Sequence, residues 1–259
     1  MQVLEYSFNP NLDKDIKLRT FRFCPDHASK NHLGDLYIVA EEINYLPIDA
    51  NLLEELANII QEEFYSNPKR MPEFSFKDAL RQGNSFLAKK AESGNVSWLG
   101  NLNIAVLNLG GFFLNFSKSG TTRILLLRSG ELTDIGQETE SHGIGLPSKF
   151  FANISSGRLT PNDKVLVFTQ QLFESLYDDV LSEIINLEEI NDRNIKRIIS
   201  SWKKEARDWS GILLIAIAKK NGMPFLMPFK LFTKNKLIIL LISLIILLLI
   251  SFFIFQNNF

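Results

Sequence analysis

From Leu237 to Phe255 the chain reads LIILLISLIILLLISFFIF, with no charged residue and two serines. Such a run is apolar around its whole helical circumference and matches the roughly 30 Å hydrocarbon core of a bilayer. It predicts a membrane-spanning helix over residues 237–255. The run lies at the wrong end for a signal peptide. Lys230, Lys234 and Lys236 precede it, and Gln-Asn-Asn-Phe follows. Positive charge stays on the cytoplasmic side. The reading is therefore a single-pass, tail-anchored membrane protein with its N-terminal domain in the cytoplasm. That leaves residues 1–220 as one folded domain and 221–236 as a short juxtamembrane linker. The linker contains "NGMPFLMPFKLF", whose apolar residues and lysines suit the membrane interface.

Lys plus Arg number 28 against 29 Asp plus Glu, so no basic excess marks a nucleic-acid binder. The single cysteine, Cys24, excludes an internal disulfide and suits a reducing compartment. No neighbouring pattern marks it as a nucleophile. The 21 phenylalanines exceed what the anchor needs and point to a large apolar core.

Within residues 1–220, strand-like and helix-like stretches alternate. "DLYIVAEE" (35–42) is rich in β-formers and reads as a strand. Asp49 is placed to cap a helix in which Leu52, Leu53, Leu56, Ile59, Ile60 and Phe64 recur at helical spacing. "NPKRMPEF" breaks that helix, and Ser75 is the expected N-cap of a second one over 76–91, with Asp78 in its first turn. A block of strands follows. "LNIAVLNL" and "FFLNFSKS" flank Gly110–Gly111, and "TTRILLLR" and "ELTDIG" flank Ser129–Gly130, giving two hairpins. Pro161–Asn162–Asp163 forms a turn before the strand "VLVF" (165–168). Helices are expected over 171–187, with Leu172, Phe173, Leu176, Val180, Leu181, Ile184 and Ile185 on one face, and over 192–206. "GILLIAIAK" (211–219) is the last strand. The order predicts an α+β fold of antiparallel sheets covered by helices, not a doubly wound parallel sheet. Neither a phosphate-binding G-x-x-x-x-G-K-[ST] loop nor G-x-G-x-x-G occurs.

Four stretches, in order and spacing, resemble the PP2C (PPM-type) protein phosphatases in a divergent bacterial form. "DLYIVAEEI" sits where the family has a strand ending V-A-D-G. "SGTTRILLLRSGEL" (119–132) resembles G-D-S-R-x-Y-L-x-R-x-G-x-L, matching at Gly120, Arg123, Arg128, Gly130 and Leu132. "LTPNDKVLVFTQQLFESL" resembles L-x-x-G-D-x-L-L-L-x-S-D-G-L, matching at Asp163, the aliphatic strand and Leu172. "RDWSGILLIAI" resembles the closing D-N-x-T-x-x-x-V strand. The resemblance covers most of residues 15–219. It implies a β-sandwich of two antiparallel sheets flanked by helix pairs. It also implies hydrolysis of phosphoserine and phosphothreonine by two Mg²⁺ or Mn²⁺ ions held on carboxylates.

The departures fall on those carboxylates. The V-A-D-G aspartate falls on Glu41 and its glycine on Glu42. The S-D-G aspartate falls on Gln170 and its glycine on Gln171. The G-D-S-R aspartate falls on Thr121. The D-N aspartate falls on Asp208, followed by Trp209. The early Arg and Asn-Glu-Asp stretch has no clear counterpart in "TFRFCPDHASKN". Each lost carboxylate removes a charge from a site that must hold two dications, which is costly even at an effective dielectric constant of about 20. The resemblance thus implies a pseudophosphatase with no cofactor required. Glu41 and Asp208 are the candidate pair if one metal is kept, and they read otherwise as ordinary strand-end acids.

Other groups admit plain readings. His27 and His32, near Asp26 and Asp35, are a conceivable metal group or ordinary loop histidines. Glu54, Glu55, Glu62 and Glu63 read as the solvated face of an amphipathic helix. Lys203, Lys204 and Arg207 form a small basic cluster that is a lipid contact or a solvated face. Trp202 and Trp209 read as packing. Three functions remain in play. The first is a membrane-anchored module that binds a partner, among them a phosphorylated protein. The second is a divergent metal-dependent serine/threonine phosphatase. The third is a structural membrane protein.

Overall fold

The computed structural model of the protein describes residues 1–9, 15–45, 51–137, 147–176, 178–187, 190–202 and 204–219. Asp49, Lys203, the linker and the apolar run 237–255 lie outside them. Among the described residues no helix is long and apolar enough to cross a membrane.

Two strands precede the first one expected: β1 (Gln2–Phe8) and β2 (Ile16–Phe23). Then come β3 (Asp35–Ile43), α1 (Leu52–Phe64) and α2 (Pro72–Glu92). The strand block is β4 (Leu102–Gly110), β5 (Phe113–Ser119), β6 (Arg123–Arg128), β7 (Glu131–Asp134), β8 (Ser155–Arg158) and β9 (Lys164–Phe168). It is followed by α3 (Gln170–Ser175), α4 (Asp178–Ile185), α5 (Asp192–Ser201) and β10 (Gly211–Ile217).

The strands form two antiparallel five-stranded sheets, β1-β10-β9-β6-β7 and β2-β3-β4-β5-β8. Side chains alternate across each strand, and the alternation sorts the core into three layers. Tyr37, Val39, Leu107, Phe116, Val165, Val167 and Leu214 meet between the sheets. Leu36, Ile38, Ile104 and Val106 point outward beneath α1 and α2. Leu166, Phe168, Leu213 and Ile215 point outward beneath α3, α4 and α5. Both faces of the central strands are apolar because both are covered, so these strands read as continuous hydrophobic runs. The expected α+β sandwich with helices on both outer faces is what the protein forms.

Local differences have local causes. The second helix starts at Pro72 rather than after Ser75. A proline at the first helical position lacks an N–H that would be unsatisfied there anyway, so it opens the helix instead of breaking the chain before it. Ser75 lies inside the helix and is fully buried. The helix expected over 171–187 is two helices, because Leu176 is extended (φ −75°, ψ 122°). The apolar spacing continues across the break: Leu172, Val180 and Ile184 are buried, with Phe173, Leu176, Leu181 and Ile185 packed against them. The last helix ends at Ser201, and a short 3-10 turn (Glu205–Arg207) follows it. The Ser129–Gly130 hairpin forms as read, whereas the β4–β5 turn falls one residue later than read, on Gly111–Phe112, with Gly110 paired to Phe113. Ser129 and Gly130 take φ of 54° and 85°, the pair of positive values that a tight hairpin turn needs.

Candidate functional site

The site lies where β3 of one sheet meets the start of α3 behind the other. Glu41 pairs across the ladder with Asn103 of β4. Both side chains point between the sheets, on the same side as Tyr37 and Val39. Glu41 is 1% exposed. Its Oε2 accepts from Asn103 Nδ2 at 3.2 Å. Asn103 Oδ1 in turn accepts from the Thr121 backbone N–H at 3.0 Å. One side of the amide thus faces an acceptor and the other a donor, which fixes its orientation. Gly120 makes this approach possible. Its φ is +76°, and a Cβ there would collide with Asn103 Oδ1.

The network continues into α3. The Thr121 hydroxyl donates to Gln170 Oε1, and Gln170 Nε2 donates to Glu174 Oε1 at 2.7 Å. Thr169, which caps α3, is locked to β10: its N–H donates to Ile212 O, and its Oγ1 accepts from the Ile212 N–H. Strand β9 therefore delivers Gln170 to a fixed place opposite Glu41. Three positions that the resemblance assigns to metal ligands or their neighbours, Glu41, Thr121 and Gln170, are gathered in one series of hydrogen bonds through Asn103.

Asp208 is exposed. It makes no hydrogen bond or ion pair with Glu41 or any other of the described residues. Glu42 is buried on the opposite face of β3 from Glu41. His32 does not present a free ligand nitrogen, since its Nδ1 and Nε2 face the Ser29 and Arg70 carbonyl oxygens, each at 3.1 Å. Three glutamates of the acidic face of α1 are paired, Glu54 with Lys17 and Arg19, Glu55 with Lys90, Glu63 with Arg70, and Glu62 is exposed. Trp209 is core, edge-on to Phe8. Trp202 is half-buried beside Glu183.

Burial pushes the Glu41 carboxyl above the ordinary carboxylate range. The Asn103 amide and the backbone N–H groups of Gln171 and Gln170 pull against that shift, and Glu174 adds to it. A raised carboxyl pKa means that the folded state resists ionisation. Stability is then lost as pH climbs from the ordinary value of 4.5 through the raised one. Glu41→Gln is expected to raise the stability of the domain at pH 7–8 relative to the parent. The gain should shrink toward zero below about pH 4. Thermal melts across pH check this. A lower midpoint for the variant at pH 7 would mean that something favours the carboxylate.

These residues do not fit a two-cation centre. Each dication wants about six oxygen ligands converging on one point. Around Glu41 the nearest groups are N–H donors, whose hydrogens repel a cation. Gln170 Oε1 is already taken by a hydroxyl hydrogen. Glu41 Oε1 and Gln171 Oε1 are buried oxygens with no well-formed hydrogen bond among the described residues, too few to complete such a shell. No three His, Cys, Asp or Glu side chains among the described residues gather closely enough to hold a metal.

The two-sheet sandwich with helices on both outer faces is PP2C-like in fold. No protein-family model and no curated protein matches the sequence, but solved structures do. It is similar to the S. agalactiae serine/threonine phosphatase at 15% identity and a TM-score of 0.56, covering 83% of this protein and 98% of that one. It is similar to the Mycobacterium tuberculosis serine/threonine phosphatase PstP/Ppp at 14% identity and 0.52, covering 83% and 95%. RsbX, solved in complex with magnesium, matches at 13% identity and 0.50, covering 83% and 93%. At these identities the likeness is one of fold.

Asn103, like Glu174, is a member of the network that the sequence motifs do not single out. Its signal is present all the same: an asparagine inside the apolar strand "LNIAVLNL" needs a partner once buried.

Proposed function

We propose that the protein is a membrane-anchored, cytosolic PP2C-like pseudophosphatase. It would serve as a protein-binding or regulatory module whose partner is a protein, a phosphorylated one among the candidates. The observation that carries this reading is the hydrogen-bonded series Glu41–Asn103–Thr121–Gln170–Glu174. Groups that would otherwise be available to metal and substrate are bonded to one another.

A second reading is a divergent metal-dependent serine/threonine phosphatase, with one Mg²⁺ or Mn²⁺ at Glu41 and Asp208. The solved neighbours back this reading more directly than the first, since two are named as serine/threonine phosphatases and another was solved with magnesium. Calorimetric titration of the full-length protein in detergent with Mn²⁺, repeated on Asp208→Asn, separates the two. The pseudophosphatase reading expects no saturable heat at millimolar metal and no phosphopeptide hydrolysis. Binding that Asp208→Asn removes, together with hydrolysis, would replace it with the enzyme.

A further inference from the structure

The polypeptide leaves the domain at the end of the sandwich opposite the site. Strand β10 starts at Gly211, beside Thr169 and α3, and ends at Ile217, where it pairs with Gln2 and Lys164. A strand of this length separates its ends by roughly 20 Å. The far end also carries the β4–β5 turn, the β6–β7 turn and the 160–163 turn. Lys219, the last described residue before the apolar run in sequence, lies at this end.

That end has the chemistry of a membrane-facing surface. Phe113 is 45% exposed, one of four exposed large apolar side chains among the described residues, with Met71, Phe74 and Val96. The Arg158 guanidinium lies over its ring, 5.5 Å from the centroid. Lys164 and the exposed Lys219 add positive charge nearby. Several acids at the same end are paired, while Glu62, beside Asp26 and Lys30, is exposed. Asp163 is buried and bonded to Arg128, Asp35 is paired with Arg22 and Asp26 with Lys30. Glu131, in the β6–β7 hairpin, is exposed. Aromatic and basic side chains together suit the headgroup region of an anionic leaflet.

We propose that this end docks on the anionic lipid surface, with Phe113 and Arg158 at its centre, so that Glu41, Asn103 and Gln170 face away from the bilayer. The inference rests on the membrane-anchored reading. The anchor would bring this end to the bilayer first, and the charge holds it there.

The test uses the full-length protein in vesicles of phosphatidylcholine, with and without about a third phosphatidylserine. In a Cys24→Ser background, a fluorophore is placed at Gly157→Cys, beside Arg158, or at Ser93→Cys, at the site end. Lipid-borne nitroxide is expected to quench the first at least about threefold more than the second, more strongly with phosphatidylserine. Arg158→Glu with Lys164→Glu should abolish the difference without changing the melt. Equal quenching at both positions, stronger quenching at Ser93→Cys, or indifference to phosphatidylserine would overturn the proposal. Carbonate extraction keeps the two failures apart. A protein that resists extraction but shows no docking overturns this inference alone, whereas an extractable one overturns the anchor as well.

Discussion

Alanine at position 211 is expected to cost the domain about 3 kcal/mol, lowering the unfolding midpoint by roughly 6–12 °C. Gly211 holds φ at +137°, which a side chain resists. A Cβ there would collide with Thr169 Oγ1 and lie 2.6 Å from the Leu172 Cβ. Neither neighbour can yield easily. Leu172 is fully buried, and the Thr169 oxygen accepts the Ile212 N–H at 3.0 Å. The relief open to the structure is to push α3 off β10, which would also pull Gln170 away from Thr121. The variant should therefore lose stability and disorder the polar network together. Gly157→Ala is the control. Nothing lies within 4 Å of a Cβ there, and its midpoint should stay within about 0.5 kcal/mol of the parent. Equal melts for the two variants would mean that α3 does not sit tightly on the start of β10.

Asp163→Asn is expected to destabilise by about 2–4 kcal/mol. The carboxylate is 2% exposed. It accepts from the Thr160 backbone N–H at 2.6 Å and the Thr160 hydroxyl at 2.9 Å. Arg128 reaches it through Nη2 at 2.6 Å and Nε at 3.1 Å. An amide loses the charge, and its NH₂ would face donors. Burial pushes the Asp163 carboxyl up, but Arg128 and Thr160 together outweigh it, and its pKa lies below the ordinary 3.8. A depressed carboxyl stabilises the fold above its ordinary pKa, and that stability is lost as pH falls through the depressed one. Denaturant unfolding should show the full gap between parent and variant at pH 7, closing in acid below about pH 3.8. A gap that persists there would mean that packing rather than charge holds the 160–163 turn.

The resemblance marks Asp163 as a matching position, and the geometry shows it to be a structural one. It clamps the turn before β9 to the end of β6, at the opposite end of the sandwich from Glu41. The hairpins near Gly111 and at Ser129–Gly130 are legible in the sequence because positive φ at Gly111, Ser129 and Gly130 narrows the choice of residue. Strand β2 leaves a fainter trace: Ile16, Leu18 and Thr20 alternate with Lys17 and Arg19, but Phe21 interrupts the alternation, although Asn9–Pro10 and Pro25–Asp26 are turn signals on either side. The break at Leu176 leaves no mark, because the apolar spacing of α3 runs on through α4. At the site, family motifs lead to Glu41, Thr121 and Gln170, and their meeting follows from the fold. Asn103 escapes such a reading because its role depends on the register that sets it opposite Glu41, and register across two strands far apart in sequence is not written in either one. The candidate pair of Glu41 and Asp208 shows the same limit. Both are acids at strand ends, but one is sealed in the core and the other faces solvent.

Strand β10 has a mechanical consequence. It is the central element to which tension from the C-terminal segment would be applied, at Ile217, and it is zipped along both edges, to β1 and to β9. If a partner held at the far end were pulled away, the load would run along the strand. Both ladders would then be strained in shear, with their hydrogen bonds resisting together rather than opening one at a time. The first strand of the domain is thus a brace for the last, and a pull on the tail would be carried straight through the sandwich to Thr169 and the start of α3.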